Sequence, residues 1–246
     1  MKTTNNTILI TGGSAGIGLE MAKLFTEKGN HVIILGRNKE RLERAVATLK
    51  NVTAIVCDVT REKDVDELVK RINEEFPQLN VLINNAGHAY AYQLGIGANS
   101  FEKASEEIMT NYLSVVSITE KLLPILHNQP QAAIVNVSSI VAFAPGLRTP
   151  TYSASKAAVH AYTRILRYTL AQSTGIRVFE LMPPLVNTDF SQEIGGANGI
   201  HPSVVADDLL AAMESDHYEI HVGSTAAIYK LSLSSPADAL TAINNR

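Results

Sequence analysis

The sequence predicts one α/β domain: a doubly wound, mostly parallel sheet of seven strands with helices on both faces. Two observations lead to this prediction. Short apolar runs bounded by turn residues recur along the 246 residues, at 7–11, 31–35, 53–57, 80–84, 132–138, 176–181 and 218–222. Stretches with apolar residues three and four positions apart, the spacing of an amphipathic helix, lie between these runs. Apolar strands alternating with helices are typical of a parallel sheet that is covered on both faces.

Each of the first six strands is followed by one predicted helix, at 17–28, 39–50, 61–76, 102–128, 153–173 and 203–215. Right-handed crossovers of this kind join neighbouring parallel strands. No internal repeat and no Pro/Gly/Ser-rich linker divides the chain, so residues 1–246 are expected to form a single domain. The turn-rich part of 187–203 is expected to be a mobile loop on the substrate side of a site, and 223–246 is a tail with no assigned element.

Composition restricts the partners. Hydrophobic residues make up 46% of the chain and the formal net charge is −3, with acids and bases mixed. No basic face predicts nucleic acid, no cationic amphipathic helix predicts a membrane, and the N-terminus lacks the apolar run of a signal peptide. Small molecules and further copies of the chain are therefore the expected partners, and a cytoplasmic location is expected.

Cysteine and histidine usage indicates no redox or metal site. The lone Cys57 lies in the apolar run VTAIVC, so a buried, unreactive thiol is expected. The seven histidines are scattered without metal-ligand spacing, so no metal is expected.

The first strand leads into a glycine-rich turn that opens the first helix. Gly12, Gly16 and Gly18 permit a tight turn, a close approach of a pyrophosphate to the backbone, and close packing of helix on strand. The spacing G-x-x-x-G-x-G departs from the commonest dinucleotide fingerprint and from the P-loop, which disfavours a P-loop NTPase. Taken alone, the turn indicates either a nucleotide phosphate site or a purely structural bend.

Tyr152 and Lys156 lie four residues apart where the fifth helix begins, which places them on one helix face. A free tyrosine has a pKa of about 10. An ammonium about 5 Å away contributes roughly 3 kcal/mol at an effective dielectric constant near 20, enough to lower that pKa by about two units. The pair is therefore predicted to move protons; the alternative is an ordinary amphipathic helix start with a packed tyrosine and a solvated lysine.

Several short motifs in order carry a family resemblance: TGGSAGIG at 11–18, CDVT at 57–60, NNAG at 84–87, Asn111 in MTNYLS, NVSS at 136–139 and YSASK at 152–156. Over at least residues 7–190 the chain resembles the short-chain dehydrogenase/reductase family, and it is similar to the DltE-type branch of that family. The resemblance implies a Rossmann-like domain that transfers hydride between a nicotinamide cofactor and a small-molecule carbonyl or secondary alcohol.

The resemblance also implies a catalytic set. Tyr152 exchanges a proton with the substrate oxygen, and Lys156 tunes it and bonds the nicotinamide ribose. Ser139, thirteen positions before Tyr152, holds the substrate oxygen, with Ser138 as a secondary candidate. Asn111 positions a water that relays protons from Lys156 to solvent.

The cofactor-binding set that the resemblance implies consists of Gly12, Ser14, Gly16, Ile17, Gly18, Arg37, Asp58, Val59, Asn85, Ala86, Gly87, Tyr152, Lys156, Pro183, Val186 and Thr188. Gly36 stands where NAD-binding sheets usually carry an acid, and Arg37 follows it. A missing carboxylate removes repulsion of a 2′-phosphate and an arginine can bind one, so NADP(H) is predicted over NAD(H), which stays possible. Alternatively, Arg37 only solvates a turn.

The sequence offers several candidates for the residues that surround the substrate. Pro184 replaces the glycine of the family's P-G-x-V-x-T segment, which predicts a changed wall beside the substrate. The substrate candidates are His88, Phe143, Arg148 and Leu185, with Tyr90, Tyr92, Gln93, Ala142, Leu147 and Phe190 as further wall positions. His88 is either a polar reader of substrate or a rim residue, and Arg148 either attracts a carboxylate or is solvated.

Other functions stay in competition. A serine hydrolase is disfavoured because the G-x-S-x-G elbow is missing. A catalytically silent NADP(H)-binding sensor or scaffold with the same fold is the alternative to an enzyme. A homodimer is expected through the helices 102–128 and 153–173, with Val159, Ile165 and Leu166 as contacts, whereas the chain lacks the C-terminal ending common in tetrameric relatives.

Overall fold

The computed structural model describes residues 1–245, in which strands and helices alternate as predicted. The strands are β1 (Thr7–Thr11), β2 (His31–Gly36), β3 (Val52–Val56), β4 (Leu79–Asn84), β5 (Ala132–Val137), β6 (Ile176–Met182) and β7 (Glu219–His221). The helices are α1 (Gly16–Glu27), α2 (Lys39–Val46), α3 (Glu62–Glu75), α4 (Ser100–Ile108), α5 (Ser114–His127), α6 (Pro150–Ser173), α7 (Pro202–Ser215), α8 (Thr225–Ser234) and α9 (Pro236–Asn244). Between residues 1 and 245, none of these helices combines the length and apolar character that a bilayer span requires.

One sheet of seven strands runs through the protein in the order β3-β2-β1-β4-β5-β6-β7. Every pairing between these strands is parallel, so the predicted doubly wound α/β fold is confirmed. The strand order reverses between β1 and β4. In open parallel sheets this reversal opens a crevice at the carboxyl ends of the strands, and ligands bind there.

Strand β1 is buried on both faces. Ile8 and Ile10 belong to one core with Phe25 of α1, whereas Leu9 belongs to the opposite core with Leu122 of α5. Successive strand residues point to opposite faces, so a continuous apolar strand needs helices on both sides.

The predicted helix at 102–128 is interrupted. A π-helical turn, Met109–Leu113, joins α4 to α5 and buries the side chain of Asn111. Such wide turns are frequent at functional sites because they redirect one side chain without ending the helix.

The segment 187–203 is more regular than a plain loop. It forms two short 3-10 turns, Asp189–Ile194 and Gly196–Asn198, before α7 begins. A parallel bridge between Val186 and Ile200 closes its base, and the hydroxyl of Ser191 donates to the carbonyl of Val186.

The tail from residue 223 contains two helices that the sequence analysis left unassigned. Ile228 of α8 and Ala239 of α9 pack against Ile140 and Ala144, which follow β5. Asn244, the last residue of α9, accepts a hydrogen bond from the Leu147 N–H at 2.6 Å and donates to the Pro145 carbonyl at 3.0 Å. The tail therefore holds the segment that leads into α6.

Replacing Asn244 with alanine removes both of these hydrogen bonds. We expect the free energy of unfolding to fall by about 1–2 kcal/mol, because each bond contributes roughly 1 kcal/mol net. Urea unfolding of Asn244→Ala and of Asn245→Ala, an exposed neighbour, provides the measurement. Equal stability of the two variants would show that the two hydrogen bonds of Asn244 contribute nothing.

Candidate active site

A cleft of about 530 Å³ lies over the carboxyl ends of the strands, at the point where the strand order reverses. It is bordered by the glycine loop after β1, the ends of β2 to β5, the start of α6 and the segment after β6. Its lining consists of Gly12, Ser14, Ala15, Gly16, Ile17, Leu35, Gly36, Arg37, Asn38, Arg41, Cys57, Asp58, Val59, Thr60, Asn85, Ala86, Gly87, Thr110, Val137, Ser138, Tyr152, Lys156, Pro183, Thr188, Asp189 and Phe190.

The glycine loop lets α1 begin directly against the end of β1. Gly12 has φ +66°, in the left-handed region that favours glycine. A Cβ at Gly18 would lie 2.3 Å from the carbonyl oxygen of Gly12, so no larger residue fits there. The first turn of α1 carries no acidic side chain, and the first N–H groups of a helix lack intrahelical partners. This end of α1 therefore suits an anion such as a pyrophosphate.

Asn85 braces the glycine loop from the neighbouring strand. Its side-chain amide donates to the carbonyls of Thr11 at 2.9 Å and Gly12 at 3.2 Å. In return the Thr11 hydroxyl accepts the N–H groups of Asn85 and Ala86, both at 2.9 Å. The NNAG motif is thus a structural clamp that also lines the cleft.

Two arginines lie at the end of the cleft formed by the carboxyl end of β2. A Cβ at Gly36 would lie 3.2 Å from the hydroxyl oxygen of Ser14, so the glycine loop and the end of β2 meet there. Asn38 caps α2 by accepting the Arg41 N–H at 2.8 Å, and this cap directs the first turn of α2 at the cleft. Arg37 and Arg41 line the same end, and the acids of the cleft lining are Asp58, which follows β3, and Asp189, which follows β6.

Tyr152 lies at the inner end of the cleft, with its ring centroid 5.8 Å from that of Phe190. Burial raises the pKa of the Tyr152 phenol, the hydrogen bond with Ser139 lowers it, and the charge of Glu107 raises it. Burial is the largest of these effects. The pKa of Tyr152 is therefore raised, and the protein alone does not produce the lowered value that the sequence analysis expected from Lys156.

Lys156 is 4% exposed, and its ammonium donates to the carbonyl of Val137 at 2.7 Å. Its Nζ lies 5.6 Å from the centroid of the Tyr152 ring. Burial lowers the pKa of Lys156 to about 8, and the charge of Glu180 raises it in part. Because burial penalises the cation, the lysine holds its proton less firmly than the sequence analysis assumed.

Asn111 is fully buried in the π turn. Its Oδ1 accepts the His88 N–H at 2.7 Å, and its Nδ2 donates to the His88 carbonyl and the Ser155 hydroxyl, both at 2.8 Å. Both amide protons are engaged, so the side chain ties the segment after β4 to α6. Thr110, its neighbour in the π turn, lines the cleft instead.

Glu107 is a functional candidate that sequence reasoning missed. It is 0% exposed, and its Oε1 accepts the Tyr90 N–H at 2.8 Å. Its charge raises the pKa of Tyr152. An acidic residue on a helix usually lies at the surface, so the sequence contains no signal for this burial.

The four predicted substrate residues do not converge on one wall. Phe143 is not part of the cleft lining: its ring packs against His160, His221 and Tyr229 at centroid distances of 5.0, 5.9 and 4.8 Å, and its role in substrate binding stays a prediction. The 3-10 turn Ile140–Ala142 after β5 redirects the chain towards α8.

The other three substrate candidates also lie outside the cleft lining. Arg148 is exposed, and its guanidinium donates to the carbonyl of Glu193. Leu185 pairs through its carbonyl with the Ile200 N–H at 3.0 Å. The His88 ring meets the edge of Tyr90 at 4.5 Å. Of the further wall positions, Phe190 lines the cleft.

Most of the predicted cofactor residues line the cleft. The cleft lining includes all of them except Gly18, which packs under the loop, and Val186, which is 5% exposed. Asn38, Arg41, Thr60, Thr110 and Asp189 line it without having been predicted. Burial, with Asp64 and Asp58 nearby, raises the pKa of the Cys57 thiol to about 12, which keeps it protonated.

Comparison with known proteins agrees with this geometry. A family profile described as short chain dehydrogenase matches residues 6–199. The chain belongs to the short-chain dehydrogenase family. Its predicted likeness to the DltE-type branch is confirmed: over 200 residues the chain is 42% identical to the "Uncharacterized oxidoreductase DltE" of Bacillus subtilis, which covers 81% of this chain and 79% of that protein.

Solved structures of short-chain dehydrogenases are also similar. One from Burkholderia cenocepacia, in complex with NADP, is 28% identical with a TM-score of 0.86 and covers 98% of both chains. A 3-ketoacyl-(acyl-carrier-protein) reductase from Brucella melitensis, complexed with NADH, is 27% identical with a TM-score of 0.77 and covers 86% of this chain and 91% of that one. The chain is thus an oxidoreductase of this family.

The close contact at Gly18 yields a prediction. Gly18→Ala forces a methyl group onto the Gly12 carbonyl, and we expect the free energy of unfolding to fall by about 1–3 kcal/mol. Gly175→Ala is the control, because a Cβ at Gly175 meets nothing within 4 Å. Thermal unfolding of both variants measures the difference, and equal midpoints would contradict the packing described for the glycine loop.

Proposed function

We propose that the protein is an NAD(P)H-dependent oxidoreductase that interconverts a carbonyl and a secondary alcohol. The observation that carries this proposal is the phenol of Tyr152, hydrogen-bonded to Ser139 and beside the Lys156 ammonium, at the inner end of a cleft whose other parts suit a dinucleotide. An acid, an oxygen-holding hydroxyl and a cation together meet the needs of carbonyl reduction.

The residues of the cleft fit the cofactor. The N-terminus of α1 with Gly12 and Gly16 would hold the pyrophosphate, Asp58 and Val59 would border the adenine, and Lys156 would bond the nicotinamide ribose. The ammonium of Lys156 has three donors, of which one goes to Val137. When bound, the cofactor supplies or accepts the hydride.

Tyr152 acts as the general acid in this proposal. Ser139 holds the carbonyl oxygen, and Tyr152 donates its proton to that oxygen as negative charge develops there. Burial keeps the phenol protonated by raising its pKa, which supports reduction as the direction in which Tyr152 is ready to react. Asn111 keeps the segment after β4 in place and would position the water that relays protons from Lys156 to solvent.

NADP(H) is the proposed preference. Arg37 and Arg41 are both exposed at the end of the cleft where Gly36 faces Ser14. Two arginines at this end favour a 2′-phosphate over a bare ribose, because a guanidinium binds a phosphate through charge-assisted hydrogen bonds. NAD(H) stays possible, since the similar Brucella reductase was solved with NADH.

A homodimer is proposed from exposed apolar side chains on two elements that touch, the π turn and α6. Met109 and Leu113 of the π turn are 42% and 43% exposed, and Ile165 and Tyr168 of α6 are 58% and 69% exposed. Val159, expected in this contact, is instead fully buried in the protein, and Leu166 packs partly against the core.

Removing the phenolic hydroxyl tests the proposed reaction. Tyr152→Phe should lower kcat/KM for carbonyl reduction by about 100-fold or more while NADPH still binds, because only the proton donor is lost. Absorbance of the reduced nicotinamide with a panel of aldehydes and ketones gives the rate. Tyr218→Phe, at an exposed position directly before β7, is the control. Turnover that survives Tyr152→Phe, or no turnover by the unaltered protein, favours the silent sensor or scaffold instead.

Charge reversal at Arg37, in the cleft lining, tests the cofactor preference. Arg37→Asp should weaken NADPH binding at least about tenfold relative to NADH, because a charge-assisted hydrogen bond contributes roughly 1.5–3 kcal/mol. Fluorescence titration with each cofactor measures both affinities. Arg164→Asp, an exposed substitution on α6, controls for the change of net charge. An unchanged ratio of affinities would remove the assignment of Arg37.

Charge insertion tests the dimer. Ile165→Glu should convert a dimer to a monomer at micromolar concentration, since an unpaired carboxylate in an apolar interface is costly. Light scattering measures the mass, with Leu233→Glu on α8, where Leu233 is 71% exposed, as the control. A monomeric unaltered protein would contradict the proposal.

A further inference from the structure

A second group of polar side chains is buried behind the site and takes no part in the proposed proton transfer. Glu180 of β6 is 0% exposed in a strand that is otherwise apolar over its buried length. Its carboxylate accepts a hydrogen bond from the hydroxyl of Ser138. Each of the two carboxylate oxygens lies 3.0 Å from Nδ1 of His160. These three residues are called the Glu180 cluster.

The Glu180 cluster is attached to the same two elements as Lys156. The Lys156 ammonium donates to the carbonyl of Val137, and the next residue of the chain, Ser138, donates to Glu180. On α6, His160 follows Lys156 by four residues, so both lie on one face of the helix. Glu180 therefore sits beneath α6, where the helix crosses the end of β5.

The cluster does not resemble a hydrolytic triad. In such a triad the serine hydroxyl donates to the histidine, which the carboxylate orients. Here the carboxylate stands in the middle and receives both donors, so Ser138 is not activated as a nucleophile. Because the partner is a carboxylate, Nδ1 of His160 carries the hydrogen that faces it.

A fully buried carboxylate is costly unless it is hydrogen-bonded and paired with a cation. Two donors, Ser138 and His160, satisfy part of this need; His160 lies at ion-pair distance, and Lys156 on the adjacent helix turn adds a cation. The benefit is mutual, since the buried Lys156 ammonium faces only one carbonyl by hydrogen bond.

We infer that Glu180 is a positioning residue of this site: its buried carboxylate keeps the Lys156 ammonium charged and fixes the first turns of α6 on the end of β5. The inference rests on the proposed function, because it assigns Glu180 a part in the chemistry of Tyr152 and Lys156. It acts through Lys156 and touches neither substrate nor cofactor.

Other charged groups face these residues. The charge of Glu107 of α4 raises the pKa of Tyr152. His221 of β7 lies near the Glu180 cluster, and burial is the main effect that lowers the pKa of its ring. The charges of Glu219 and Glu180 raise that pKa, whereas His217 and His160 lower it. Among them, Glu180 is the carboxylate whose charge raises the pKa of Lys156.

The charge of Lys156 sets how the site depends on pH. The pKa of Lys156 is lowered to about 8, so the ammonium is charged below that pH and is lost as pH rises through it. Loss of the Glu180 charge lowers this pKa further, and the range in which Lys156 is charged shrinks from its alkaline end.

The test is the pH profile of Glu180→Gln, measured as NADPH binding by fluorescence and as kcat/KM for carbonyl reduction. In the unaltered protein both should decline above about pH 8. In Glu180→Gln the decline should begin about one pH unit lower, the usual effect of removing a nearby opposite charge. Glu219→Gln is the matched control, because Glu219 pairs in register with Glu180 on the neighbouring strand and instead bonds Arg167.

A decline that stays at the wild-type pH in Glu180→Gln, or that moves equally in Glu219→Gln, overturns the inference. If Glu180→Gln does not fold, Glu180→Met combined with His160→Phe replaces the polar pair by apolar side chains, which buried sites often tolerate. The same downward shift is then expected, and no shift again overturns it. If NADPH binding shifts as expected but no carbonyl is reduced by the unaltered protein, the proposed function fails while the link between Glu180 and Lys156 stands.

Discussion

The buried ammonium of Lys156 is the constraint on which the site depends. It is 4% exposed and donates to the carbonyl of Val137, at the point where β5 ends. A cation in this position needs compensation, because burial alone favours its neutral form. The carbonyl provides a hydrogen bond and Glu180 provides charge, whereas the ring of Tyr152 occupies the side that faces the cleft. The hydrogen bond of Lys156 to Val137 therefore helps to hold α6, and with it Tyr152, at the end of β5.

The other end of the cleft is shaped by backbone contacts rather than by charge pairing. Asn85 ties β4 to the glycine loop, and Gly18 lets α1 approach the Gly12 carbonyl without a side chain between them. The helix N-terminus then faces the cleft across from the end of β2, where Arg37 lies. A single crevice over the reversal of strand order thus combines an end that suits an anion with an end that holds Tyr152 and Lys156, which is the arrangement that the proposed function needs.

Much of this arrangement could be predicted from the sequence, because apolar strands and amphipathic helices of ordinary length have a clear period. The glycine loop and the Tyr152–Lys156 spacing carry local signals as well. Side chains that depend on tertiary burial carry none: Glu107 and Glu180 are acids that look like surface residues until the sheet encloses them. The sequence did not show that a 3-10 turn after Ser139 brings Phe143 against Tyr229 of α8. Helices α8 and α9 were missed because they are short and partly exposed.

The most direct test is a titration of Lys156 itself. In protein labelled with ¹³C at the lysine side chains, NMR gives a Cε signal for each lysine. The Lys156 signal is assigned by its loss in Lys156→Arg. The account predicts that this signal titrates near pH 8, because burial lowers the pKa of Lys156 from its ordinary 10.5 and the charge of Glu180 offsets only part of that effect. A Lys156 signal that titrates near 10.5, as a solvated lysine does, would contradict the buried cation on which the site is built.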